Sequence, residues 1–104
     1  MGKYTRHVYT IPEIKAIVAP IAKSRGTGKI CLFGSYSRHE ATWRSDVDLL
    51  VECGKISDLF ELAGLYGELE EGLRKPIDIV TTDTMEYNQE FFQEIMKDEV
   101  EIYG

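Results

Sequence analysis

Apolar positions along this chain recur with two different periods, and the places where the period changes divide it into elements. Thr10-Ile11-Pro12-Glu13 has the form of a capping box, and Ile14, Ile17, Val18 and Ile21 follow it at helical spacing. A helix therefore starts at Thr10. Pro20 falls inside that pattern, where it removes a backbone donor at a cost of roughly 3 kcal/mol, so a kink or break is expected before Gly26. Residues 29–33 and 46–52 are short apolar runs with β-branched and leucine content, and both read as buried strands. Across residues 58–73, Leu59, Leu62, Ala63, Tyr66, Leu69 and Leu73 fall on one helical stripe, with Ser57 or Asp58 available as the cap. Pro76 ends that helix, and residues 77–80 read as a third strand. Phe91, Phe92, Ile95 and Met96 mark a last helix, and Val100 and Ile102 alternate as in a short edge strand. The order helix, strand, strand, helix, strand, helix predicts a small α/β (α+β) domain, a mixed sheet with helices packed mainly on one face.

Composition narrows the picture. At 104 residues and 43% apolar, the chain is expected to form a single domain over residues 1–104 with one packed core. Eighteen acidic against twelve basic residues leave a net charge of −6, which offers no broad basic face and argues against extended binding to DNA or RNA. No apolar run approaches the length of a membrane helix, no apolar segment follows the basic start as in a secretory signal, and Arg6 breaks the myristoylation pattern. Cys31 and Cys53 sit inside apolar segments, as expected of small buried side chains in a reducing compartment, and a cytoplasmic location follows.

The candidate chemistry lies between the first two predicted strands. Asp46 and Asp48 are two apart on a strand, so both side chains leave the same face, about 7 Å apart at a rise of about 3.3 Å per residue. Like charges so placed repel unless a cation sits between them, and hard oxygen ligands favour Mg²⁺ or Mn²⁺. Asp78, flanked by Ile77 and Ile79, is a third acid in an apolar strand; if its strand adjoins that of Asp48, three carboxylates converge in a way that suits two metal ions and a nucleoside triphosphate. Gly34 and Ser35, at the end of the first strand, offer close backbone approach and exposed amides at a following helix start, and Arg38 offers charge for the same phosphates. Taken singly, each has a plainer reading: a Gly-Ser turn, a strand-start Asp46, an Asp78 paired with Lys75. Their joint occurrence, with Asp48 inside an apolar strand and no local cation, is what the plain readings leave unexplained.

These residues resemble a known family. Gly34-Ser35, ten residues, then Asp46-Val47-Asp48 matches the signature of the minimal nucleotidyltransferases of the DNA polymerase beta-like superfamily, and Pro76-Ile77-Asp78-Ile79-Val80 is similar to that family's third-carboxylate strand. The likeness runs from the first helix to the tail and departs from the pattern at His39, where many relatives carry glycine. The resemblance implies a nucleotidyltransferase fold and transfer of a nucleotidyl group to a hydroxyl with two Mg²⁺ ions, Asp46, Asp48 and Asp78 being the catalytic and metal-holding residues. Gly34, Ser35, Arg38 and Ser45 would bind the nucleotide. It further implies an antitoxin that adds AMP from ATP to a tyrosine of a helical HEPN toxin, with the partner or a second copy completing the pocket.

Three readings compete: this adenylyltransferase, a catalytically silent protein that neutralises a partner by covering it, and transfer to a small-molecule hydroxyl. Crowded carboxylates favour the first, since without catalysis their repulsion only destabilises the fold. Other motifs fail. Gly26-Thr27-Gly28-Lys29 lacks the leading glycine and trailing hydroxyl of a P-loop, Leu50 and Val51 break an EF-hand begun at Asp46, and His7 and His39 are too few for zinc. Trp43 and Tyr36 either stack on a base or cover the loop against the core. Glu68, Glu70 and Glu71 form a solvated helix face or, with the stripe of Tyr66, Leu69 and Leu73, a docking surface.

Overall fold

The structure, a computed structural model, describes residues 4–82 and 89–104; residues 1–3, within the stretch read for a leader, lie outside it. Helix α1 (Ile11–Arg25) begins on the expected capping box: the Thr10 side chain accepts from the Glu13 amide at 3.2 Å while the Glu13 carboxylate accepts from the Thr10 amide at 2.8 Å. Pro20 does not break it. The helix continues to Arg25 because Pro20 and Ala16, whose carbonyl the proline leaves without a helical donor, both lie on the exposed side where water substitutes. It ends on Gly26, in the left-handed region.

Strands β1 (Ile30–Phe33), β2 (Val47–Val51), β3 (Ile77–Thr81) and β4 (Val100–Tyr103) form one mixed sheet in the order β3-β2-β1-β4. β1 runs antiparallel to both β2 and β4, and β2 runs parallel to β3 through helix α2 (Leu59–Leu73), the crossover that a parallel pair requires. Ile30 and Leu32 of β1 join Val47, Leu49 and Val51 of β2 in the main core, beneath Ile14, Val18 and Ala22 of α1 and Leu65, Leu69 and Leu73 of α2. Cys31, Phe33 and Leu50 face the other way, onto Ile95 of helix α3 (Gln89–Asp98). Among the described residues the helices are thus divided two to one between the faces, packed mainly on one as expected.

Helix α2 is rotated relative to the expected stripe. Asp58 is the cap, its side chain accepting from the Glu61 amide at 2.8 Å, but the buried residues are Leu65, Leu69 and Leu73, while Leu59 is 81% exposed and Phe60 89%. Leu69 and Leu73 are core residues and supply no docking surface. Lys75 is fully buried and does not pair with Asp78: its Nζ donates to the carbonyls of Thr5 and Trp43, each at 2.9 Å, and burial lowers its pKa. One ammonium thereby ties the N-terminal segment and the loop before β2 to the start of β3.

Candidate active site

The end of β1 and the starts of β2 and β3 meet at one end of the sheet. Phe33 stands opposite Asp48 in the antiparallel pair, and Asp48 stands opposite Asp78 in the parallel pair. Opposed residues share a face, so Asp48 and Asp78 project on the same side of the sheet as Phe33 and Leu50, beyond the small core under α3. Asp46 is exposed and lies just before β2, which starts at Val47 with its amide bonded to the Pro76 carbonyl at 2.9 Å, so the Asp46–Asp48 pair is not wholly on a strand as expected. Asp78 is exposed and Asp48 partly buried.

The electrostatics centre on Asp48. Burial pushes its carboxyl up to about 6, and the negative charges of Asp78 and Asp46 push the same way, against the opposing pull of the Arg38 guanidinium. The three carboxylates are close enough to repel but do not close into a cage: among the described residues no group of three or more His, Cys, Asp or Glu side chains is drawn together so as to hold an ion by itself. The donor chemistry fits a hard divalent cation, because such a charge would relieve the repulsion that burial sharpens at Asp48.

Opposite the acids lies a set of donors. Gly34 takes φ +74°, and a side chain there would run into the Asp48 carboxylate, its Cβ lying 3.0 Å from Cγ. Residues 35–39 form turns and not the expected helix start: the Gly34 carbonyl accepts from the Arg38 amide at 3.3 Å and from Ser37 Oγ at 2.8 Å, and the Ser35 carbonyl accepts from the Glu40 amide at 2.9 Å. The amides of Ser35, Tyr36 and Ser37 meet no acceptor among the described residues, and run together after the left-handed glycine in the manner of an anion-binding nest. Arg38 pairs with Glu40 at 3.1 Å and approaches Asp98 at 3.7 Å, both exposed contacts. Ser45 closes the loop's last turn, its Oγ accepting from the Thr42 amide at 2.9 Å. Of the loop aromatics, Tyr36 is buried in the main core, not free to stack on a base, and Trp43 is 44% exposed. His39 adopts φ +60°, the conformation glycine takes most easily. The exposed amides expected after Gly34 and Ser35 are present, but on turns that follow the left-handed Gly34 and not at the start of a helix.

Acids for a cation beside unpaired amides for an anion make a site suited to a metal–polyphosphate complex. Comparison with known proteins identifies the family of the chain. The family model described as "Polymerase beta, Nucleotidyltransferase" matches residues 15–104. A Methanocaldococcus jannaschii protein provisionally named protein adenylyltransferase is 41% identical over 75 residues, 72% of this chain and 81% of its own length. A toxin–antitoxin crystal structure with AMP-PNP aligns at a TM-score of 0.73 with 21% identity, covering 86% of this chain and 73% of that one. A Shewanella oneidensis complex of a tri-AMPylated HEPN toxin with its MNT antitoxin aligns at 0.68 with 18% identity, covering 91% and 73%. The likeness of the two solved structures lies in the fold; the family model and the M. jannaschii relative carry the assignment. The chain is an enzyme of the polymerase beta nucleotidyltransferase family.

Proposed function

We propose that this chain transfers AMP from ATP to a hydroxyl, a tyrosine, of a helical HEPN-type toxin and thereby acts as its antitoxin. The observation that carries the reading is the pairing of Asp48, crowded by Asp78 and Asp46, with the unspent amides of Ser35–Ser37 across Gly34. The M. jannaschii relative bears an adenylyltransferase name, and two structural neighbours are toxin–antitoxin assemblies, one with an ATP analogue and one with an AMPylated toxin.

In this mechanism Gly34, Ser35 and Arg38 seat the triphosphate, with Ser45 holding the loop that delivers Asp46. Asp46 and Asp48 would hold Mg²⁺ ions and Asp78 would complete the site on the acceptor side; the bound ions supply charge neutralisation at the α-phosphate. The acceptor oxygen forms a bond to the α-phosphorus, the bond from that phosphorus to the bridging α–β oxygen breaks, pyrophosphate leaves, and the hydroxyl proton passes to water or a carboxylate. The chain's own contribution is position: three elements bring donors and acids to one end of the sheet.

Calorimetric titration with ATP, with and without Mg²⁺, tests this. Mg²⁺-dependent binding that Asp46→Asn abolishes is expected, together with transfer of AMP to the co-expressed toxin seen as an added AMP mass. ATP binding indifferent to Mg²⁺ and to Asp46→Asn would overturn the reading. The exposed Leu59 and Phe60 on α2 favour a second one, neutralisation by coverage alone. Under it, folded Asp46→Asn protein would still neutralise the toxin at equal stoichiometry.

A further inference from the structure

A buried phenol in the loop after Gly34 lacks a partner. Tyr36 is 3% exposed, and its hydroxyl is the one buried side-chain polar atom without a hydrogen-bond partner among the described residues. Burial raises its pKa, so the group keeps its proton. The Tyr9 backbone pulls the other way, but an amide is a donor and serves only the phenol's oxygen; among the described residues an acceptor for the proton is missing. Leaving a buried donor unmet costs stability, whereas phenylalanine would fill the same core volume without that cost.

Tyr36 also lines a cavity of about 350 Å³, walled by Val8, Ile11 and Pro12 on the approach to α1 and in its first turn, and by Tyr36, His39 and Ala41 of the loop. A space of this size, with mainly aliphatic and aromatic walls, accepts a small organic molecule. A second unspent donor belongs to the same wall. The Thr10 and Glu13 amides take the oxygens of the capping box and Pro12 has no amide hydrogen, but the Ile11 amide meets no acceptor among the described residues. The walls also differ in charge from those elsewhere. Three other cavities each have two glutamates in their lining, yet among the described residues no carboxylate lines this one, in a chain of net charge −6. Glu13 and Glu40, close by in sequence, are engaged by Thr10 and His7 and by Arg38.

We propose that this cavity binds a small carboxylic acid with an apolar body, aromatic or branched aliphatic, whose carboxylate accepts from the Tyr36 hydroxyl. The apolar walls take the body, and the N-terminal end of α1 supplies a field that favours negative charge. The site is separate from the one that gathers the three acids: Tyr36 and α1 belong to the main core on one side of the sheet, while Asp48 and Asp78 project from the other with Phe33 and Leu50. It therefore stands whether or not the chain transfers AMP.

Phenylacetate is the probe, titrated into the full chain in EDTA and followed by the backbone amide signal of Ile11 in heteronuclear NMR. A saturable shift is expected. Tyr36→Phe should weaken binding about tenfold, while the unliganded variant melts no lower than the parent, a combination that a hydroxyl serving the fold alone would not give. Val8→Asp, at a wall position that is 43% exposed, should abolish binding by setting a carboxylate against the ligand's own. Asp48→Asn should leave it unchanged. Phenylacetamide, the uncharged isostere, should bind about tenfold more weakly, and acetate, which lacks the apolar body, should not saturate. No saturable shift, a Tyr36→Phe protein that binds as well as the parent, or phenylacetamide or acetate binding as well as phenylacetate would overturn the site. A peptide ending in phenylalanine that binds more tightly than phenylacetate would overturn the small-molecule class and assign the cavity to the C-terminus of a partner protein.

Discussion

Asp48 stands where it does because residue 34 has no side chain. At φ +74° an L-residue is strained by roughly 1–2 kcal/mol, and its Cβ would also meet the Asp48 carboxylate. Gly34→Ala is therefore expected to cost about 2 kcal/mol in urea denaturation and to weaken Mg²⁺–ATP binding more than tenfold in calorimetry, since the alanine methyl and the Asp48 carboxylate claim one volume. Unchanged Mg²⁺–ATP affinity would show that this carboxylate does not anchor the site. The Gly-Ser and Asp-x-Asp residues were legible in the sequence because their spacing is specific and their chemistry unusual for buried strands. His39 was legible only as a departure from pattern: its left-handed φ of +60° explains why glycine suits the position, yet a histidine gives no local sign of that conformation. Lys75 was not legible at all, for nothing in sequence distinguishes an ammonium buried on two carbonyls from a solvated one.

At the scale of elements, period and caps identified each helix and strand, whereas orientation depended on contacts that no local pattern encodes. In α2 two overlapping stripes contain leucines, one through Leu59, Ala63 and Tyr66, the other through Leu65, Leu69 and Leu73. Packing against α1 selects the second, with Gly72 lying so close to Ile17 and Ile21 that an added Cβ would sit 3.3 and 3.2 Å from their methyls. Leu69→Ala should accordingly cost roughly 2–5 kcal/mol. Phe60→Ala, which removes a larger side chain from the exposed face, should cost less than about 0.5 kcal/mol. Comparable losses in urea denaturation of the two variants would contradict this rotation. Which helix covers the second face was hidden for the same reason: Cys31 and Phe33 alternate with Ile30 and Leu32 in a continuous apolar run, which shows both faces covered but not by what.

For the whole molecule, the acids that suit the site to catalysis work against the stability of the fold. The Asp48 carboxyl has a pKa of about 6 in the folded chain and near 4 when unfolded, so between those values the folded state holds its proton longer. The folded state is thereby favoured below about pH 4, and that advantage is lost as the pH rises through 6. The full difference corresponds to at most about 3 kcal/mol, and the solvent reaching this partly buried group reduces it. Asp48→Asn removes the ionisation. Without metal, the variant should be more stable than the parent by about 1–2 kcal/mol at pH 7, and the gap should close by pH 4, where both side chains are neutral. Adding Mg²⁺ with ATP at pH 7 should reverse the order, because only the parent gains the binding free energy. Denaturation curves of the two proteins across this pH range decide the matter: a stability difference independent of pH would mean that Asp48 is not a strained carboxylate, and that the repulsion attributed to Asp78 and Asp46 does not reach it.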